Sequence, residues 1–344
     1  MKNLSLIGFL LLFLTTGCNS KIDNRIEITQ KHRENIVDVS GKIIDIKPDI
    51  LIGRSSFYII DSILIVAEWE PKGEMGIHLF NKNTFEYIRS TGYIGRGPGE
   101  IGVMGRLGID SKNRIIWAPD HGKRIMYKFP LDSVLNNEQF KPSIRKELNT
   151  ELFIERFGFL NDSIVLGKAV HAISASSFDM AMAKLNINTN EIEKFGYEHP
   201  QAIGKKSNSL FALSVDNNFY VNCYSSLDLM TICDLDGNLK HNVYGPGWFE
   251  NDQDKNAYFS DVGIIGGKII ASYIGGRGII VKDGITKGAT PSKLIVFNKE
   301  GTYLRTIETG NVFTSFCIDE KNRRIIAFFS DREEPLGYFN IPVE

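Results

Sequence analysis

Arg96 and Glu100 bracket Gly97-Pro98-Gly99, and a little further on Asp120, His121 and Arg124 stand within one short stretch. Guanidinium and imidazole groups hold carboxylates and sugar acids through charge-assisted, often bidentate hydrogen bonds. If folding brings the two stretches together, the chemistry on offer is capture of a small anion. The same residues also make a salt-bridge cluster that only fixes a long loop. His171 and His199 stand in other polar stretches. Trp248 and Phe249, beside Pro246-Gly247, offer either a platform for stacking a sugar or a pin that holds a loop to the core. Arg277, in Gly275-Gly276-Arg277-Gly278, heads a long segment that reads as a mobile lid.

Catalysis asks for more. A metal-assisted hydrolase, lactonase or lyase needs carboxylates and imidazoles converging on one point. Glu68, Asp120, His121, His171 and Asp331 are the candidates, but no His-x-His, His-Glu-x-x-His or Cys-x-x-Cys spacing singles them out. No catalytic residue, metal ligand or cofactor is assigned, and binding is placed ahead of catalysis. The Gly95 to Glu100 stretch is no dinucleotide fingerprint, because Glu100 stands where the last glycine is needed. Lys and Arg number 40 against 41 Asp and Glu, for a net charge of −1, and form no basic block. Nucleic acid is therefore not an expected partner. A hydrophobic content of 42% suits a packed core.

The first eighteen residues stand apart. Lys2 precedes an apolar run over residues 4–14, too short to span a bilayer and suited to a secretory signal. Thr15-Thr16-Gly17-Cys18 is similar to the lipobox of bacterial lipoproteins, which implies an acylated Cys18 and the lipid bilayer as a partner. Residues 19–35 are polar and read as a tether. Cys223, Cys233 and Cys317 are expected to be free thiols. A hairpin turn near Ser226 would set Cys223 opposite Met230 instead of Cys233.

The elements that would position all these groups come from a repeat. Asp110 to Trp117 reads as a tight polar turn opening into a buried strand, and weaker copies start at Asp61, Asp162, Asp216, Gly266 and Asp319. A period of about fifty residues built on short strands is the signature of a propeller. The expected fold is all-β: a six-bladed β-propeller over residues 36–344 with four-stranded antiparallel blades. The last blade has only three strands of its own. An open edge there is a liability, so the alternating segment 36–46 is expected to close the ring as its outermost strand. In such blades the links between blades and the turns between second and third strands share one face. That face collects the long loops, residues 92–102, 119–123, 244–258 and 275–291 among them, and is the expected place for a site at the channel mouth.

The stretch Thr91 to Ile101, which contains Gly95-Arg96-Gly97-Pro98-Gly99-Glu100, follows directly on the strand pair 77–90. In this it resembles the six-bladed propeller lipoproteins of Bacteroidetes, some labelled TolB-like, which carry a similar loop between their first two blades. The resemblance implies an envelope location and a six-bladed ring. It supplies no activity and no catalytic residues. Read on its own physics, the loop is either a tight turn or a nest of backbone N–H groups for an anion. The partners expected at the loop face are a glycan, a small anionic ligand or an envelope protein, with a purely structural platform as a further alternative.

Overall fold

The Asp110 and Asp319 copies of the repeat are turns locked by their own carboxylates. In blade two the Asp110 carboxylate accepts the Asn113 backbone N–H at 3.0 Å and its side-chain amide at 2.9 Å. Arg114 then takes a φ of 55° before the next strand begins, and Asp61, Asn218 and Arg323 do the same at 52°, 57° and 50°. Short polar turns of this kind leave the flanking residues free to run as strands. The computed structural model describes residues 26–149, 152–174, 177–203, 209–249, 255–282 and 284–342. The signal segment, Cys18 and most of the expected tether lie outside them.

Six blades surround an axis, each with four antiparallel strands that run in sequence order from the inside outward, except that the fourth strand of blade six is the N-terminal Ile44–Asp45. Their innermost strands are Ser55–Ile60, Gly108–Asp110, Leu152–Phe159, Ser209–Ser214, Asn256–Ile265 and Phe313–Asp319. The second strands, such as Ile63–Glu68 and Phe219–Tyr224, are buried along their whole length, because both faces of a blade pack on neighbouring blades. The core is accordingly a set of layers between blades. Ile65 and Leu79 of blade one, for example, share a cluster with Ile116 and Tyr127 of blade two. Cys223 lies opposite Met230 and Cys233 opposite Tyr220, and Cys223, Cys233 and Cys317 are free thiols. Among the described residues no helix is long and apolar enough to cross a membrane.

The N-terminal segment closes the ring, but with fewer residues than expected. Only Ile44–Asp45 joins blade six, pairing Ile44 with Tyr338 of Leu336–Asn340. Ile36–Asp38 instead runs parallel along the rim of blade five, with Val37 beside Ile307. The break has a local cause: Asp38 accepts the Ser40 backbone N–H at 2.8 Å and starts the one-turn helix Ser40–Lys42. Further upstream, in the stretch read as tether, Glu27–Thr29 runs parallel along Leu239–Tyr244 of blade four. Residues 26–45 thus form a belt around three consecutive blades. One more departure concerns a connection. The segment after Arg277, read as a mobile lid, forms a hairpin of Ile279–Lys282 and Ile285–Gly288, with Gly284 in its turn at a φ of 75°. The long link in blade two holds the helix Leu131–Asn136.

Candidate functional site at the channel mouth

Every blade presents its innermost strand to the axis, and these strands differ in polarity. Around a channel cavity of about 290 Å³ stand Ser56 and Tyr58 of blade one, Arg106 before blade two, Arg156 of blade three and Asp261 of blade five. Phe211 of blade four and Phe316 of blade six complete the wall with apolar surface. Bulges make this arrangement possible. Leu152–Phe159 loses register between Ile154 and Arg156, and Asn256–Ile265 does so on either side of Phe259. A bulge re-aims side chains that strict alternation would send elsewhere, and here it accompanies Glu155, Arg156 and Asp261 at the channel.

A second cavity of about 230 Å³ shares Ser56, Tyr58 and Arg106 with the first and adds Trp69, His121 and Glu155. Trp69, Met104 to Arg106 and His121 come from the long-loop face, so the combined depression is the channel mouth on that side. Its polar groups are interlocked. The Trp69 indole donates to Ser56 Oγ at 2.7 Å, Arg106 donates to the same oxygen at 3.2 Å, and the Leu107 N–H donates to the Tyr58 hydroxyl at 3.1 Å. Arg54 and Arg106 lie 4.7 and 5.6 Å from the Trp69 ring. Arg156 meets Asp261 at 3.4 Å. Burial, helped by the Arg106 charge, lowers the Arg156 guanidinium. For Arg106, burial works the same way but is outweighed by Asp261, Tyr58 and Glu155, so its affinity for the proton rises. Both remain cations at any ordinary pH. Burial raises the Tyr58 hydroxyl against the pull of the two arginines, which keeps it a neutral donor. Burial lowers the His121 imidazole, and its Nδ1 is buried without a partner.

The residues singled out in the sequence occupy several different places. Asp120 is fully buried and accepts four backbone N–H groups, from Gly102, Val103, Gly122 and Lys123, at 2.7 to 3.1 Å. It stitches the loop entering blade two to the turn beside it. Glu100 folds back to accept the Gly97 N–H at 2.9 Å and the Lys141 ammonium at 3.1 Å, and both lower its carboxyl, the backbone bond foremost. The anion in the glycine nest is thus the loop's own. Any Cβ at Gly95 would overlap that carboxylate. Arg96 and Arg124 are exposed on the same rim, outside the cavity. Only His121 of this group lines the mouth.

The remaining candidates lie on other blades. His171 of blade three meets the Lys194 ammonium at 3.3 Å. Trp248 stacks 4.7 Å from Tyr244 and 5.5 Å from His199, pinning its loop, while Phe249 is exposed. Arg277 is exposed at the end of Lys268–Arg277 in blade five. Glu68 lines the mouth near His78, and Asp331 accepts the Val312 N–H. Arg106, Glu155, Arg156 and Asp261 were missed by motif reasoning. Their signal was there to read: charges interrupting apolar innermost strands, as in Phe153-Ile154-Glu155-Arg156-Phe157.

No protein-family model and no curated protein sequence matches the chain. Solved structures do. A candidate exported protein of Bacteroides fragilis superposes with a TM-score of 0.56 at 11% identity, over 91% of this chain and 98% of its own. A member of the DUF4221 family from Bacteroides vulgatus gives 0.55 at 9% identity, over 89% and 99%. The structure of U3-55K gives 0.56 at 10% identity, over 88% and 99%. The likeness is one of fold. It establishes the propeller and leaves activity to be argued from the site.

Proposed function

We propose that this chain is an envelope-anchored propeller that binds a small polar ligand through the channel mouth on its long-loop face. One observation carries the reading: polar and charged side chains from blades one, two, three and five converge on one depression at that mouth, while the rest of the channel wall is apolar. A concave, partly apolar pocket with a few converging polar groups is the usual form of a small-molecule site. Among the described residues no group of three His, Cys, Asp or Glu side chains is placed to hold a metal ion. No observation here advances the metal-assisted hydrolase over the binder.

The envelope reading is supported by the lipobox-like sequence ending at Cys18 and by the Bacteroides origin of two similar structures. The belt adds geometry to it. Glu27 pairs with Asn242 on the rim of blade four, so the stretch back to Cys18 spans at most ~30 Å at about 3.5 Å per residue. An acyl anchor at Cys18 holds the disc close to the bilayer by that rim. Replacing Cys18 by Ser should move the protein from the membrane fraction to the soluble one, and retention would reject the anchor. For the site, a thermal-shift screen of amino acids, organic acids, sugars and metal ions should find ligands that raise the melting temperature. Hydrogen exchange with a hit bound should show protection over residues 55–60, 103–108 and 152–159. Protection confined to other segments would reject the mouth as the site.

A further inference from the structure

Arg106 and Glu155 line the same 230 Å³ cavity, and among the described residues neither has an opposite charge within ion-pairing distance. Arg106 hydrogen-bonds Ser56 and Tyr58 and lies against Trp69. A guanidinium carries five donors, so these contacts leave donors for a ligand. Glu155 is the extra residue of the bulge in Leu152–Phe159 and is half-buried. Its carboxylate accepts no hydrogen bond and meets no cation among the described residues. The nearby Arg156 is already committed to Asp261. A cation and an anion therefore face one small space, close enough to feel each other's field and too far apart to pair.

Asp261, Tyr58 and Glu155 together hold Arg106 in its charged form, yet no carboxylate among the described residues pairs with it directly. Arg106 and Glu155 together define what ligand would engage both charges. A simple anion would satisfy Arg106 and be repelled by Glu155. A simple cation would do the reverse. A sugar would bring hydroxyls to both but would compete for the Trp69 ring with the Arg54 and Arg106 guanidiniums that already lie against it. A molecule with a carboxylate and a protonated amine a few bonds apart matches both charges at once. We infer that the channel mouth binds a small zwitterion of the amino-acid type, its carboxylate on Arg106 and its ammonium on Glu155. Tyr58 and Ser56 stand beside Arg106 to share the carboxylate, and the unpartnered His121 Nδ1 belongs to the same wall. This assignment rests on the mouth being a ligand site.

The two readings come apart in a charge-by-charge titration. Full-length protein is titrated calorimetrically with a panel of free α-amino acids, their N-acetyl and amide derivatives, short alkyl carboxylates, alkylamines and neutral sugars. At least one free amino acid should bind, and blocking either end should weaken it by about 10- to 100-fold, the worth of one charge-assisted contact. Arg106→Gln should lose the amino acid and improve binding of the matching amide or amine. Glu155→Gln should lose it and improve binding of the N-acetyl acid or carboxylate. These opposite gains also show that both variants are folded. Equal binding of blocked and free forms, or amino-acid binding untouched by both substitutions, overturns the zwitterion. A sugar or plain carboxylate that binds and is lost in Arg106→Gln overturns the ligand class while leaving the mouth as a site. No binding by any member of the panel, with no hydrogen-exchange protection at the mouth, overturns both.

Discussion

Arg33 and Arg106 both lie against aromatic rings well inside the molecule, and only one of them has a carboxylate. Arg33 leaves the belt to stack 4.6 Å from Tyr273 and 5.6 Å from Phe297, with Asp228 at 3.7 Å. That carboxylate is fully buried and itself held by the Tyr273 hydroxyl at 2.7 Å and the Gly247 N–H at 2.9 Å. Arg106 stacks on Trp69 with a serine for company. The acidic residues repeat the contrast: Glu100 closes its own glycine nest and pairs with Lys141, while Glu155 has neither. Opposite charges meet within the chain on the rim and at the loop, although Arg33 Nη1 and Asp228 Oδ1 make no hydrogen bond, and at the mouth Arg106 and Glu155 do not meet. Closed charge clusters hold this propeller together; the open one is where a ligand belongs.

The contrast is broken most directly by removing the rim carboxylate. Asp228→Ala strands a buried guanidinium between blades four and five, and should lower stability by about 3–5 kcal/mol. Denaturant unfolding measures it. Arg106→Gln, by comparison, should stay within about 1 kcal/mol of the parent, since no ion pair is lost. If the two losses came out alike, the distinction between closed and open clusters would fail. Next in size is Asp120→Ala, which leaves four backbone donors without their acceptor. Partial access to water limits the cost to about 2–3 kcal/mol. Faster hydrogen exchange at Gly102, Val103, Gly122 and Lys123 should accompany it.

The frame of this molecule could be read from sequence because it is written in local terms. Asp110, Asn113 and Arg114 make a turn with atoms three or four residues apart, and the same turn recurs in other blades. The site could not be read that way. Arg106, Glu155 and Asp261 meet only through ring closure and two bulges, and a bulge leaves no mark in a hydrophobic period beyond a misplaced charge. The belt was hidden for a related reason. Ile36–Asp38 reads as strand in the sequence but lies on blade five instead of blade six, and Glu27–Thr29 is a three-residue parallel strand whose partner lies more than two hundred residues away. Short polar segments of that kind carry no periodicity long enough to tell from a tether. Asp120 shows the converse: an acidic residue beside a histidine looks like chemistry in sequence, and in space it is a staple.

A smaller effect is read through pH. Burial lowers His78, His121 and His199 from the usual value of 6.5. Between that value and their lowered ones, the unfolded chain takes up protons that the folded chain does not. Their contribution to stability is full above about pH 6.5 and declines as the pH falls. The melting temperature should therefore be lower at pH 5.5 than at pH 7.5. A variant with all three histidines changed to Gln should show a shallower decline over that window. An equal decline would assign the loss to other groups.

The smallest effect belongs to the residue that stood out first in the sequence. Arg96 is exposed on the rim of the mouth, and Arg96→Ala should change stability by no more than about 0.5 kcal/mol. Its charge still contributes to the field that a carboxylate crosses on the way in. A modest loss of affinity, within about threefold, is expected at low ionic strength, fading at physiological salt where the Debye length is about 8 Å. Arg106→Gln should instead weaken binding at any salt, because its contact is made inside the cavity. A salt-independent collapse of binding in Arg96→Ala would place the ligand on the outer loop. The glycine turn, for all that its own Glu100 already fills it, would then be the better guess.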